Sequence, residues 1–167
     1  MSESATIKPQ VNQSLFLPFF ESTREVLSMM AGIEVKVGKP YKKRPPFNYY
    51  DVTGQINFYG DVVGVASVCM LGDTADQIIE RFACTKLERG TGEYTDAVGE
   101  LANMISGSAK KNLGVNASIT TPNVILGRHT VVPSSAVPCV VIPGSCPFGE
   151  FAIEVSIKLV SGSSGGR

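Results

Sequence analysis

The chain has 167 residues, of which 43% are hydrophobic and 18% charged, against about 25% charged in an average globular domain. That length fills one core, and the hydrophobicity excludes intrinsic disorder, which needs low hydrophobicity with high net charge. Fifteen basic residues balance fifteen acidic ones, so no overall field favours nucleic acid or an anionic membrane.

Residues 1–12 are polar and are expected to form a flexible N-terminus. Their start, MSESATIKPQ, has no secretory hydrophobic core, which predicts a cytoplasmic protein. A first helix is predicted over Gln13–Ala31, where Leu15, Phe19, Val26 and Met30 recur at helical spacing; Gly32 stops it. Ile33–Val37 alternates apolar and charged residues as a half-buried strand does. Lys39–Asn48 holds three prolines and four basic residues and reads as a solvated, charged loop. Strands are predicted at Tyr50–Phe58 and Val62–Leu71, joined as a hairpin through Tyr59-Gly60-Asp61. An amphipathic helix follows over Thr74–Ala83, capped by Asp73 or Thr74. After a glycine-containing turn at Arg89–Gly92 comes a longer helix, Thr95–Leu113, with Gly114 in the left-handed cap position.

The remainder is β-rich, with strands expected at Ala117–Thr121, Asn123–Gly127, Cys139–Ile142 and Phe151–Leu159. In the last, Phe151, Ile153, Val155, Ile157 and Leu159 face one side, while Glu154, Ser156 and Lys158 face the other. Ser161–Arg167 reads SGSSGGR, a Gly/Ser tail of the kind an expression vector leaves. Hairpins dominate and no βαβ alternation appears. The expected class is therefore α+β, a single domain over residues 13–160 with a mostly antiparallel sheet and helices packed on it. The helix-plus-strands pattern occurs twice, which suggests a pseudo-symmetric doubling. No membrane helix is expected, because no apolar run approaches the roughly 20 residues that one requires.

No self-contained catalytic set emerges. Cys69, Cys84, Cys139 and Cys146 form no CxxC, and His129 is the one histidine. Reduced thiols are expected, a histidine-built metal site is excluded, and His129 reads as a loop surface residue. Outside the Gly/Ser tail, neither GxSxG nor a phosphate-binding GxxxxGK[ST] loop is present.

The long second-half helix is the informative element. At 100° per residue, Val98, Leu101, Ala102, Ile105, Ala109 and Leu113 share one face, and Asp96, Glu100, Asn103, Gly107, Lys110 and Lys111 the opposite one. Glu100 and Asn103, at i and i+3, project side by side. A mid-helix glycine costs about 0.5–1 kcal/mol relative to alanine. On an exposed stripe, Gly107 makes sense where another molecule approaches the backbone, and Gly99, Ser106 and Ser108 thin the flanks. A solvated helix face carrying Glu and Asn by chance is the competing interpretation of the spacing.

The run DAVGELANMISGSAK from Asp96, with Pro122 opening the next β segment, resembles the CheC/CheX phosphatase family of bacterial chemotaxis. That family's pattern is Asp or Ser, three residues, Glu, two residues, Asn, and a downstream Pro, here Asp96, Glu100, Asn103 and Pro122. The segments PFFESTREVLSMMAG and DVTGQINFYGDVVGVASVCM are similar to the first helix and first hairpin of CheX-type members. The first helix offers Glu21-x-x-Arg24 and Glu25-x-x-Ser28 but no second Glu-x-x-Asn, which suits the CheX type with one site per chain.

The resemblance implies a CheC/CheX-like pseudo-symmetric fold and a phosphatase acting on the aspartyl phosphate of a CheY-like response regulator. In it, Asn103 would position the attacking water and Glu100 would pair with a regulator lysine. Asp96, Gly107 and Lys110 are the candidate partner contacts; an early acidic residue such as Asp96 also suits the helix dipole, as Lys110 and Lys111 suit its other end. The chain itself would bind no cofactor, Mg2+ being expected in the regulator's active site. A homodimer is implied too, with Phe151–Leu159 available to extend a sheet. The alternative is a non-catalytic regulator-binding module related to flagellar motor switch domains.

Overall fold

The computed structural model describes residues 12–160; the Gly/Ser tail and all of the N-terminal segment except Asn12 lie outside them. The elements are α1 (Gln13–Ala31), β1 (Lys36–Val37), β2 (Tyr41–Lys42), β3 (Tyr49–Gly60), β4 (Val62–Met70), α2 (Gly72–Ala83), α3 (Gly92–Lys111), β5 (Ala117–Ile119), β6 (Asn123–Thr130), β7 (Val140–Cys146) and β8 (Gly149–Leu159). All strand pairs are antiparallel, in the order β1-β7-β8-β4-β3-β5, with β2 also on β7 and β6 also on β3.

The chain therefore repeats one unit, a long helix followed by four strands, with α2 as the link. In each half the first two strands after the helix pair with the third strand of the other half, β1 and β2 on β7, β5 and β6 on β3. The expected doubling is thus a doubling of topology. It also places β8 between β7 and β4, so β8 cannot extend a sheet across chains as the sequence suggested. The edges are β1 with β2, and β5 with β6.

Helix α1 starts on Asn12, whose side chain accepts from the Ser14 amide, and stops at Gly32 in the left-handed region at φ 62°. Leu15, Phe19, Val26 and Leu27 are buried, but Met30 is exposed, and Ser22 and Thr23 take inward positions. Their hydroxyls return to the helix by bonding the Pro18 and Phe19 carbonyls at 2.7 Å each. Of the strand expected at Ile33–Val37, two residues pair, although Ile33 and Val35 are buried. Strands β6, β7 and β8 all run beyond their predicted ends, and Leu159 is exposed.

Helix α2 begins two residues early and uses neither Asp73 nor Thr74 as cap. The carboxylate of Asp51 on β3 accepts from the Gly72 amide at 2.7 Å, and Thr74 bonds the Phe148 carbonyl at 3.2 Å. A helix end satisfied from another element leaves no local signature.

The sheet buries both faces. The helix side carries the main core, including Phe19, Ile56, Tyr94, Leu101, Ile105, Ile142 and Ile153. The other side holds a small cluster of Tyr50, Cys69, Val141 and Ala152 with Val131 against it. There, two expectations are reversed. The "solvated" loop sends Lys43 inside, and Glu154, expected outward, is only 2% exposed. They form an ion pair at 2.6 Å, with Tyr50 Oη donating to Glu154 at 2.9 Å and Lys43 Nζ also donating to the Val131 carbonyl. His129 is likewise in strand β6 rather than a loop; Nδ1–H donates to the Gly127 carbonyl at 2.6 Å, and Nε2 meets Thr53 Oγ1 at 2.7 Å.

Burial, reinforced by the Glu154 carboxylate, pushes the Cys139 thiol up to about 12. Burial likewise raises the thiol of Cys69 and the phenol of Tyr50. Folded, these groups stay neutral while the unfolded chain ionises its cysteines from about pH 8.5. Their contribution to stability is complete below that pH and is lost as pH rises toward 12. The urea midpoint is expected to fall between pH 9 and 11, and less so in Cys139→Ala; an unchanged midpoint at pH 11 would contradict the burial of these groups.

Candidate functional site

Helix α3 starts earlier than its sequence suggested, because tertiary contacts recruit the glycine turn into it. Thr91 is the N-cap, accepting from the Tyr94 amide at 3.3 Å while its hydroxyl donates to the Glu88 carbonyl at 2.7 Å. Tyr94 is fully buried, and its hydroxyl donates to Asp76 of α2 at 2.8 Å. Arg89 pairs with the same carboxylate at 2.9 Å. Burial and the Asp76 carboxylate raise the Tyr94 phenol, so it remains a donor. Asp96 consequently sits in the second turn, where the helix dipole is weak; its expected dipole role passes to Glu93. The C-cap is Asn112, and Gly114, at φ 74°, follows two residues later.

The helix lies close to the sheet where side chains are smallest. A Cβ on Gly54 of β3 would come 2.9 Å from the Ala102 Cβ, an approach only glycine permits. With Val98, Leu101, Ala102, Ile105, Ala109 and Leu113 all buried, the rotation of α3 is fixed. Its opposite stripe is then Asp96 and Glu100, exposed, followed by Asn103, Gly107 and Lys110, half-buried, with Lys111 exposed. The ion pairs among the described residues are Lys43–Glu154 and Arg89–Asp76. Asp96, Glu100, Lys110 and Lys111 therefore keep their charges free for solvent or a partner.

Of the three flanking small residues, Ser108 is half-buried, and the other two behave differently from expectation. Gly99 and Ser106 are buried, so they serve packing rather than openness. Gly107 does face space, since an added Cβ would meet only Ile119 Cδ1 at 4.0 Å. Pro122, which sequence reading placed at the start of a β segment, lies in the connection from β5 to β6 and stands against Gly99.

A convex stripe of this kind can bind and orient but cannot enclose a small substrate. A cavity of about 520 Å3 lies elsewhere, lined among others by Val141, Pro143, Ala152, Tyr41, Tyr49 and Leu71. Val141 and Ala152 belong to the cluster on the sheet face away from α3, so that cavity and the Glu100/Asn103 stripe are separate features. Among the described residues no group of three or more His, Cys, Asp or Glu is placed to hold a metal ion. No helix among them is long and apolar enough to cross a membrane.

The architecture is shared with solved structures. A CheC-like superfamily protein from Shewanella sp. PV-4 is 33% identical, with TM-score 0.81 over 89% of this chain and 99% of that one. The chemotaxis protein CheX from Vibrio vulnificus is 30% identical, with TM-score 0.80 over 86% and 99%. The fold also matches, at 22% identity and TM-score 0.72 over 86% and 97%, the CheX–CheY–BeF3–Mg2+ complex from Borrelia burgdorferi. No curated protein matches. The family model described as "Chemotaxis phosphatase CheX" matches residues 52–145, a span containing most of β3, then β4, α2, all of α3 and the connection holding Pro122. The fold is that of the CheC-like chemotaxis proteins. Within that class, the chain belongs to the CheX family of chemotaxis phosphatases.

Proposed function

We propose that the chain hydrolyses the aspartyl phosphate of a CheY-like response regulator, with α3 docked over the phosphorylated site. Water attacks the phosphorus in line, the bond from phosphorus to the carboxyl oxygen breaks, and inorganic phosphate leaves a free carboxylate. An acyl phosphate is already activated, so the step needs an oriented water rather than a strong base. Asn103 supplies that orientation through its carboxamide, which both accepts and donates hydrogen bonds and takes no proton. Glu100 pairs with a lysine of the regulator and sets the register. Asp96, Gly107 and Lys110 line the contact, Gly107 by letting the partner approach the backbone. Mg2+ belongs to the regulator in this reading. The chain acts as a homodimer, and with β8 central, any sheet pairing between copies falls to the edge strands.

The observation that carries the proposal is the pair Glu100 and Asn103, side by side on the stripe of α3 turned away from the core, with no ion pair to the carboxylate among the described residues, in a chain of the CheX family. The Borrelia burgdorferi CheX complex with CheY supports the choice of partner.

The test is to mix the protein with a phosphorylated CheY-like regulator and Mg2+ and follow phosphate loss beside an Asn103→Ala control. Acceleration that disappears in the variant supports the proposal; binding without acceleration would instead make the chain a non-catalytic regulator-binding module. Glu100→Ala is expected to weaken regulator binding about tenfold, the ratio corresponding to about 1.4 kcal/mol for one lost charge-assisted contact, and to slow turnover with it. Unchanged affinity in a titration would remove the ion pair from the mechanism.

A further inference from the structure

The three glycines of α3 meet different surroundings. A Cβ on Gly92 would meet nothing within 4 Å, and one on Gly107 only Ile119 Cδ1 at 4.0 Å. On Gly99 it would come 3.0 Å from Cγ and 3.4 Å from Cβ of Pro122, with Val124 Cγ2 at 3.7 Å. The absent side chain is what admits the proline ring.

That ring is held from both ends. Proline fixes its own φ, and its neighbours are stitched to β3. The Thr120 amide donates to the Asn57 carbonyl at 3.0 Å, the Asn57 amide meets Thr120 Oγ1 at 3.3 Å, and Asn123 pairs with Gln55. The connection from β5 to β6 therefore runs along one flank of α3, from Ile119 beside Gly107 to Pro122 beside Gly99. Asn103 lies midway between those glycines on the same flank. Helical side chains lean toward the helix N-terminus, so Asn103 reaches back over the turn that holds Gly99. Its half-burial, where Glu100 three residues earlier is exposed, fits a wall on that side.

Building on the role of Asn103 above, we infer that Gly99 and Pro122 form a positioning pair. The Pro122 ring, seated in the space of the missing Gly99 Cβ, restricts the rotamer of the Asn103 carboxamide and so aims it at the attacking water. Pro122 touches no reacting atom; it acts through Asn103.

The experiment measures kcat and KM for wild type, Gly99→Ala, Pro122→Ala and the double variant with a phosphorylated CheY-like regulator and Mg2+. Gly92→Ala serves as the control for helix propensity and should leave both constants unchanged. A Cβ at position 99 displaces the ring by a few tenths of an ångström, a fraction of the 1 Å error that costs about 100-fold. Gly99→Ala should therefore lower kcat about tenfold with KM held within about twofold. Pro122→Ala should do the same, and the double variant should be no slower than Pro122→Ala, since no ring remains to be displaced. Losses that multiply in the double variant, or a Gly99→Ala enzyme with wild-type kcat, would overturn the inference while leaving Asn103 in place. A wild-type protein without phosphatase activity would remove the reading of Asn103 and this inference with it. Thermal melts of each variant separate a lost fold from a lost orientation, and Pro122→Ala, which removes atoms rather than adding them, carries the test on its own should Gly99→Ala melt below the assay temperature.

Discussion

Replacing Asn103 by alanine is expected to slow regulator dephosphorylation about 100-fold or more, the size of effect that follows when a reacting group loses its orientation. The fold should not suffer. Asn103 is half-buried on the open stripe, and alanine is the better helix former by about 0.5 kcal/mol, so the melting temperature should hold or rise slightly. Regulator affinity should also persist, because Glu100 supplies the docking charge. A loss of activity beside an unchanged or higher melting temperature isolates chemistry from stability. Asn103→Asp sharpens the test. It keeps the shape and the acceptor but removes the N–H donors, and it adds a carboxylate beside Asp96 and Glu100 facing an anionic phosphoryl group. It should be as inactive as the alanine variant. An active Asn103→Asp would show that a base is tolerated or needed there, and the water-positioning account would give way to general-base catalysis.

Glu100 and Asn103 sit on a helix whose orientation was legible in advance. Val98, Leu101, Ala102, Ile105 and Ala109 of α3, with Leu113 just past its end, repeat at helical period and are all buried, so the opposite stripe follows by geometry alone. The same holds for Gly32, whose left-handed φ of 62° answers the need of a helix end, and for Phe151 through Ile157 of β8, which alternate into the core. Where the helix begins was not legible. Glycine at position 92 suggests a turn, yet the Thr91 cap and the buried Tyr94–Asp76 bond outweigh its poor propensity. Asp96 lost its expected first-turn role for that reason alone. Nor could the sequence place Pro122 against Gly99, since nothing local in either segment requires the other. The residues proposed for the site could thus be named from the sequence, whereas the contacts that fix the start of α3 and set Pro122 against Gly99 belong to tertiary structure.

The largest effect on stability is expected from Glu154→Ala, at a position where alternation pointed to solvent. A carboxylate at 2% exposure is tolerable because Lys43 Nζ lies 2.6 Å away and Tyr50 Oη donates at 2.9 Å. Removing it leaves an ammonium buried against the Val131 carbonyl and a phenol without its acceptor. Breaking one half of a buried pair costs about 3–5 kcal/mol, a large share of the 5–15 kcal/mol that a domain has in total. The double replacement Lys43→Met with Glu154→Leu removes both charges and should recover most of that loss, because a buried pair and a well-packed apolar pair are often of similar stability. Urea denaturation reads both; a Glu154→Ala loss below about 1 kcal/mol would mean that the pair is solvated like a surface salt bridge. The loop carrying Lys43, strand β8 and the chain at Val131 meet on the sheet face away from α3. Dephosphorylation per folded molecule should consequently match wild type in the double variant, as it must if the two faces of the sheet divide stability from chemistry.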